Sequence, residues 1–148
     1  MALLTKIARR GPADVLLAGE ALALLVVFRA ALAVMPVRKI IGAVARGRAG
    51  EGACAEATQT SQILLTTRRV QWAVSAAARY SPMEFVCFPQ ALAGYTMLRR
   101  RRVPSTLVYG VARSESGDLL AHTWLTVGEV DVLGGEAAEG FTEIERWT

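Results

Sequence analysis

Residues 84–102 read EFVCFPQALAGYTMLRRRR, and they mark the point where the chain changes from helical to strand-like periodicity. Pro89 suits the first turn of a helix, where its missing N–H has no partner to lose. The apolar residues that follow recur at helical spacing, and the run ends in four arginines, which suit the negative end of a helix dipole. The stretch predicts a helix that begins near Pro89 and places Cys87 just before it.

The residues after this helix alternate between apolar and polar, which is the period of a β-strand. STLVYGVAR (105–113), LLAHTWLTV (119–127) and VDVL (130–133) are separated by turn-forming residues, and Gly128-Glu129 suits a two-residue hairpin loop. Three antiparallel strands after helices predict an α+β fold. The tail EGFTEIERWT is compatible with a final strand or a turn of helix.

The most apolar part of the chain, residues 14–35, predicts a long helix that ends before Pro36. It is long enough to cross a bilayer, but Glu20 and Arg29 would each be costly near the bilayer centre. We expect a helix that packs within the protein or against a partner. An interfacial helix and a membrane span are the alternatives.

A glycine- and alanine-rich segment, GRAGEGACAEA (47–57), predicts a domain boundary. Residues 1–50 are interpreted as an N-terminal helical arm, made of the apolar helix and a basic segment, and residues 51–148 as the core. Residues 58–80 carry apolar side chains on one helical face and predict the first helix of that core.

The charge distribution and the cysteine content argue against several classes of protein. Residues 1–50 carry eight basic and two acidic side chains and residues 104–148 carry two and eight, which argues against a uniform nucleic-acid-binding surface. Cys54, Cys87 and one histidine form neither a disulfide framework nor a good zinc site, so no metal or other cofactor is expected. No signal peptide is evident, so we expect a cytoplasmic protein.

Cys87 and the single histidine, His122, suggest nucleophilic catalysis. A helix N-terminus stabilises a thiolate and offers free N–H groups to an oxyanion, and imidazole is the usual general base. A cysteine at a helix start, a histidine on a strand and an acid on the next strand form a papain- or transglutaminase-like arrangement. If Cys87 and His122 meet, the protein is an enzyme; otherwise both are core residues.

The next strand supplies the acid. A two-residue turn pairs Thr126 with Asp131, so Asp131 shares the face of His122 but lies about four residues nearer the turn. His122 would then pair with Gly135, unless a bulge shifts the register. Trp124 lies on the same strand face as His122, where it could orient the imidazole or simply pack.

Several motifs in order resemble the B2 proteins of lasso peptide biosynthesis, which are leader peptidases of transglutaminase-like fold. They are CFPQAL (87–92), LRRRRVP (98–104), Gly110-Val111 and AHTWL (121–125). The chain departs from the family pattern at Phe88, where leucine is usual, and at Thr123 and Thr126, where alanine and an acid are common.

The resemblance implies a core in which a nucleophile at a helix N-terminus packs on a small antiparallel sheet. Cys87 would be the nucleophile and His122 the base and acid. We choose Asp131 as the third member, with Glu136 as the alternative and Glu129 disfavoured by its place in the turn. Gln90 would assist the oxyanion.

The implied reaction is removal of the leader from a ribosomally made precursor peptide. The implied partners are that precursor, a separate leader-recognition protein of B1 type and the lasso cyclase. An acyltransferase built on the same residues and a non-catalytic helical adaptor are the other interpretations.

Overall fold

The computed structural model describes residues 11–46 and 57–148, in which helices precede an antiparallel sheet. The α+β class predicted from the sequence is confirmed. Cys54 and the predicted boundary at residue 50 lie outside the described residues. The helices are α1 (Pro12–Val34), α2 (Val37–Ala45), α3 (Ala57–Tyr80) and α4 (Cys87–Arg100); the strands are β1 (Thr106–Arg113), β2 (Leu119–Val127), β3 (Val130–Leu133) and β4 (Thr142–Trp147), with a short 3-10 turn at Gly135–Ala137.

Helix α4 begins two residues earlier than its proline suggested. Val86 is the extended N-cap residue, with φ −70° and ψ 173°, and Cys87 is the first helical residue. Pro89 falls third, which is still within the first turn, where a backbone N–H has no helical partner. The prediction that Cys87 lies just before the helix is therefore wrong, because Cys87 is part of the first turn.

The sheet has the strand order β3-β2-β1-β4, with every neighbouring pair antiparallel. The predicted hairpin register is confirmed near the turn, where Val127 pairs with Val130 and Thr126 with Asp131. The register then shifts by one residue, so that Leu125 pairs with Leu133 and Val132 is the extra residue of a β-bulge. The tail forms β4, which pairs with β1.

The helices and the sheet of the described residues share one apolar core. Its buried side chains include Leu25 of α1, Val74 of α3, Leu92 and Leu98 of α4, and Leu107 and Leu125 of the sheet. Helix α4 approaches the sheet closely at Gly94, where a methyl group would lie 2.6 Å from Leu133 Cδ1 and 2.8 Å from Leu125 Cδ2. The arm and the rest of the protein therefore share their interior.

Helix α1 is fastened to its neighbours by ion pairs as well as by apolar contact. The Glu20 carboxylate accepts hydrogen bonds from Arg101 at 2.6 Å and Arg100 at 3.2 Å, and Asp14 pairs with Arg69 of α3 at 2.7 Å. The hydrogen bond from Arg101, aided by Arg100, lowers the pKa of Glu20 although partial burial opposes the shift. These contacts tie α1 to both α3 and α4.

The outer face of α1 is solvent-exposed and apolar. Helix α1 is long and apolar enough to cross a membrane by length and composition, and 28% of its most apolar window is buried inside the protein. At about 100° per residue, its exposed apolar side chains fall within one sector of the helix, which the exposed Arg29 borders on one side and Glu20 on the other. The members of this outer face are Val15, Leu16, Gly19, Leu22, Ala23, Val26, Val27, Ala30, Ala33 and Val34.

Candidate active site

Cys87 occupies the positive end of α4. Its side chain is half-buried and its thiol is free. The first backbone N–H groups of a helix have no partner within the helix, so they can stabilise a thiolate or donate to an oxyanion. Gln90 Nε2 donates to the carbonyl oxygen of Phe85 at 2.6 Å, which fastens the segment leading into Cys87 and leaves one amide hydrogen for another acceptor.

An open cleft of about 520 Å³ adjoins this helix start. It lies between the last turns of α3 and the residues on either side of Cys87 in sequence. Its lining residues are Ser75, Ala78, Arg79, Glu84, Phe85, Val86 and Gln90. A ligand in this cleft would therefore lie beside the segment that carries Cys87.

His122 is held between aromatic rings. It is 9% exposed, and its ring stacks near-parallel to Trp124 with centroids 6.0 Å apart. The Phe141 ring lies 5.2 Å away at 45°. Trp124 itself covers Gly110, where a methyl group would lie 2.8 Å from the indole. Trp124 was expected on this face, whereas Phe141 was missed because it lies in a loop without periodicity.

The hydrogen-bond partner of His122 is a main-chain group. His122 Nε2 lies 2.7 Å from the carbonyl oxygen of Gly134. In residues 11–46 and 57–148, neither Asp131 nor Glu136 is hydrogen-bonded to the imidazole. The Asp131 side chain instead lies against the Cα of Gly135, in the space that a side chain at residue 135 would occupy.

Cys87 and His122 lie at the same end of the contact between α4 and β2. From the Gly94–Leu125 contact, Cys87 is about 10 Å back along the helix and His122 about 10 Å back along the strand. Both steps run the same way, because α4 ends six residues before Thr106, which pairs with Thr126 at the far end of β2.

The structure does not join the two residues directly. Leu125 faces α4, and side chains alternate along a strand, so His122 points to the other face together with Trp124. Within the described part of the chain, no hydrogen bond links Cys87 Sγ to the imidazole. The Cys87 thiol is half-buried and the His122 imidazole is buried on the face turned away from α4, so the two side chains do not meet in this structure.

A protein-family model of the transglutaminase-like superfamily matches residues 22–146. The chain belongs to this superfamily. Neither a curated protein nor a solved structure matches it. Members of the superfamily are typically cysteine-dependent enzymes. Cys87 and His122 both lie within the match, which begins inside α1, so most of α1 is part of the superfamily domain.

Proposed function

We propose that the protein is a cytoplasmic cysteine peptidase that removes the leader from a lasso precursor peptide at the leader–core junction. The observation that carries this proposal is the place of Cys87, the first residue of α4, in a chain of the transglutaminase-like superfamily. The ordered motifs from CFPQAL to AHTWL support the narrower assignment to the B2 leader peptidases.

The proposed reaction begins with attack of Cys87 Sγ on the scissile carbonyl while the thiol proton passes to His122. N–H groups in the first turn of α4, with the remaining amide hydrogen of Gln90, would hold the oxyanion. The imidazolium then protonates the leaving amine, which becomes the free N-terminus of the core peptide. Water then attacks the thioester and gives a proton to His122. The bond between the carbonyl carbon and Sγ breaks, His122 returns the proton to the Cys87 thiolate, and the leader leaves with a free carboxylate.

Proton transfer requires His122 to come within hydrogen-bonding reach of Sγ. Catalytic hydrogen bonds are often long or poorly aligned without substrate and tighten only when it binds. In this proposal, Asp131 contributes through the turn that it packs against, and Glu136 remains the alternative acid.

The cleft beside Cys87 is the proposed place for the peptide. Arg79 and Glu84 lie in its wall, so it offers one charge of each sign next to apolar surface from Phe85 and Val86. An extended peptide can present alternate side chains to such a wall while its backbone passes the first turn of α4.

The proposed partners are the precursor, a separate leader-recognition protein of B1 type and the lasso cyclase. The outer face of α1 supports docking of a partner, because a continuous apolar surface of this length, with charged residues only at its borders, is unusual on a protein that acts alone. We assign this face to the leader-recognition protein, which would bring the leader to the peptidase.

The test is leader release from the precursor in the presence of the recognition protein, with wild type, Cys87→Ala and Cys54→Ala compared by mass spectrometry. We expect Cys87→Ala to abolish release and the other cysteine variant to retain it. Equal cleavage by wild type and Cys87→Ala would contradict the assignment and favour the adaptor interpretation, in which Cys87 only packs.

An acyltransferase is the second candidate, because the superfamily accommodates both reactions and the acyl-enzyme is common to them. The products separate the two. The core peptide leaves in both cases. Hydrolysis leaves a leader with a free carboxylate, whereas transfer to an amine gives a product whose mass is that of this free leader plus the amine less one water.

A further inference from the structure

We infer that the main-chain carbonyl of Gly134, and not a carboxylate, fixes the orientation and tautomer of His122. The structural part of this inference stands on the hydrogen bond itself. Its catalytic part rests on the proposed function, in which His122 is the general base.

The chemistry of the contact determines the tautomer. A carbonyl oxygen accepts hydrogen bonds and never donates them, so the nitrogen 2.7 Å away, Nε2, must carry the proton. The lone pair of the neutral ring is then on Nδ1, which is the nitrogen left to accept a proton. Trp124 and Phe141 contact the same ring, so they oppose the rotation that would exchange the two nitrogens.

The backbone of the β2–β3 region places the Gly134 carbonyl beside His122 Nε2. The bulge at Val132 advances β3 by one residue, and Gly134 then turns with φ +76°. A methyl group at Gly134 would lie 2.9 Å from the Thr123 carbonyl oxygen and 3.3 Å from His122 Nε2. Both the positive φ and the lack of space require glycine at this position.

Asp131 has a different role in this arrangement. Its carboxylate packs against Gly135, and no hydrogen bond joins it to the imidazole among residues 57–148. It is a positioning residue that supports the Gly134-Gly135 turn through its shape. A carboxylate that orients a histidine directly behaves otherwise: in serine protease triads its conversion to the amide favours the wrong tautomer and lowers kcat about 10⁴-fold.

The single histidine makes a direct test possible. Protein labelled with ¹⁵N only at histidine gives the signals of His122 alone, and its neutral tautomer can be assigned at about pH 8.5 from the nitrogen shifts and their couplings to ring protons. We expect the Nε2–H form in wild type, Asp131→Asn and Glu136→Gln. We expect Gly134→Ala to lose it or to give a mixture.

Activity supplies the second readout. We expect Asp131→Asn and Glu136→Gln to lower kcat by less than about tenfold, because shape is kept, and Gly134→Ala to lower it by more than 100-fold. Gly117→Ala is the matched control, since Gly117 has φ +87° but open space around it. This variant carries similar backbone strain away from His122, and circular dichroism checks that each variant folds.

The Nδ1–H tautomer in wild type, or its appearance in Asp131→Asn with a loss of kcat near 10⁴-fold, would overturn the inference. Failure of the proposed function looks different. A wild type with no peptidase activity and an intact Nε2–H signal contradicts the reaction, while the orienting contact stands.

Discussion

Arg102 adopts a backbone conformation that L-residues with side chains rarely take. It has φ +56° and follows the end of α4, where its N–H donates to the Arg99 carbonyl at 3.0 Å and the N–H of Val103 donates to Leu98 at 3.0 Å. This is the pattern of a Schellman motif, in which glycine is the usual residue at the left-handed position. The arginine there carries strain that glycine would not have.

We therefore expect Arg102→Gly to stabilise the fold by about 1 kcal/mol, because the left-handed conformation costs other residues about that much. Chemical denaturation measures the change. Arg68→Gly on the exposed side of α3 is the control and should destabilise by about 1 kcal/mol, since glycine is a poor helix former. A loss of stability in Arg102→Gly would contradict the strain argument.

At the candidate site, the sequence indicated the reactive side chains but not the groups around them. Cys87 and His122 were identifiable because few other residues can carry such chemistry, and Trp124 because it lies two residues from His122 on one strand. The carbonyl of Gly134 could not be foreseen, because every residue has one and only the bulge at Val132 decides where it points. The same bulge places the Asp131 side chain against Gly135.

At the scale of the elements, Glu20 of α1 forms ion pairs with Arg100 and Arg101 at the end of α4. Because its pKa is lowered in the folded state, Glu20 contributes stability that is fully present above its unfolded pKa, about 4.3, and is lost as the pH falls through the lower folded value. Glu20→Gln should therefore destabilise the protein by roughly 1 kcal/mol at pH 7. The difference from wild type should shrink below about pH 4.3.

Unfolding by urea at several pH values measures this dependence. Glu129→Gln is the control, because in the described residues the Glu129 carboxylate has no ion-pair partner. It should unfold like wild type throughout the range. A difference between Glu20→Gln and wild type that persists unchanged at pH 3 would show that charge is not the cause.

The outer face of α1 gives a further prediction at this scale. Val27 is a member of that face and is 58% exposed. We expect Val27→Glu to weaken binding of the leader-recognition protein at least tenfold, because docking would bury an unpaired carboxylate. Calorimetry or fluorescence anisotropy measures the affinity.

Leu119→Glu is the matched control for this surface, because Leu119 is 70% exposed at the start of β2 and away from α1. Its affinity for the recognition protein should equal that of wild type. If Val27→Glu also binds with wild-type affinity, the outer face of α1 is not the docking surface.

Over the whole molecule, periodicity predicted the elements well because each is long enough to show its repeat. The helix at 58–80, the three strands and the two-residue turn all follow from local patterns that the structure reproduces. The single core did not follow from them. An apolar helix has the same sequence signature whether it covers its own domain, a partner or a membrane, and only contacts distant in sequence, such as Leu25 with the α3–α4 interior, distinguish these cases.

The place of α1 in the shared interior has a practical consequence for anyone who shortens the gene. A cut near residue 50 looks harmless on the printed sequence, since glycine and alanine fill that region. A truncation there would remove Leu17, Leu25 and Phe28 from the apolar core that they share with α3 and α4. It would also remove Glu20, the ion-pair partner of Arg100 and Arg101. The remaining fragment would expose apolar helix surfaces to water, so we expect a low yield of soluble protein, too low for an activity assay.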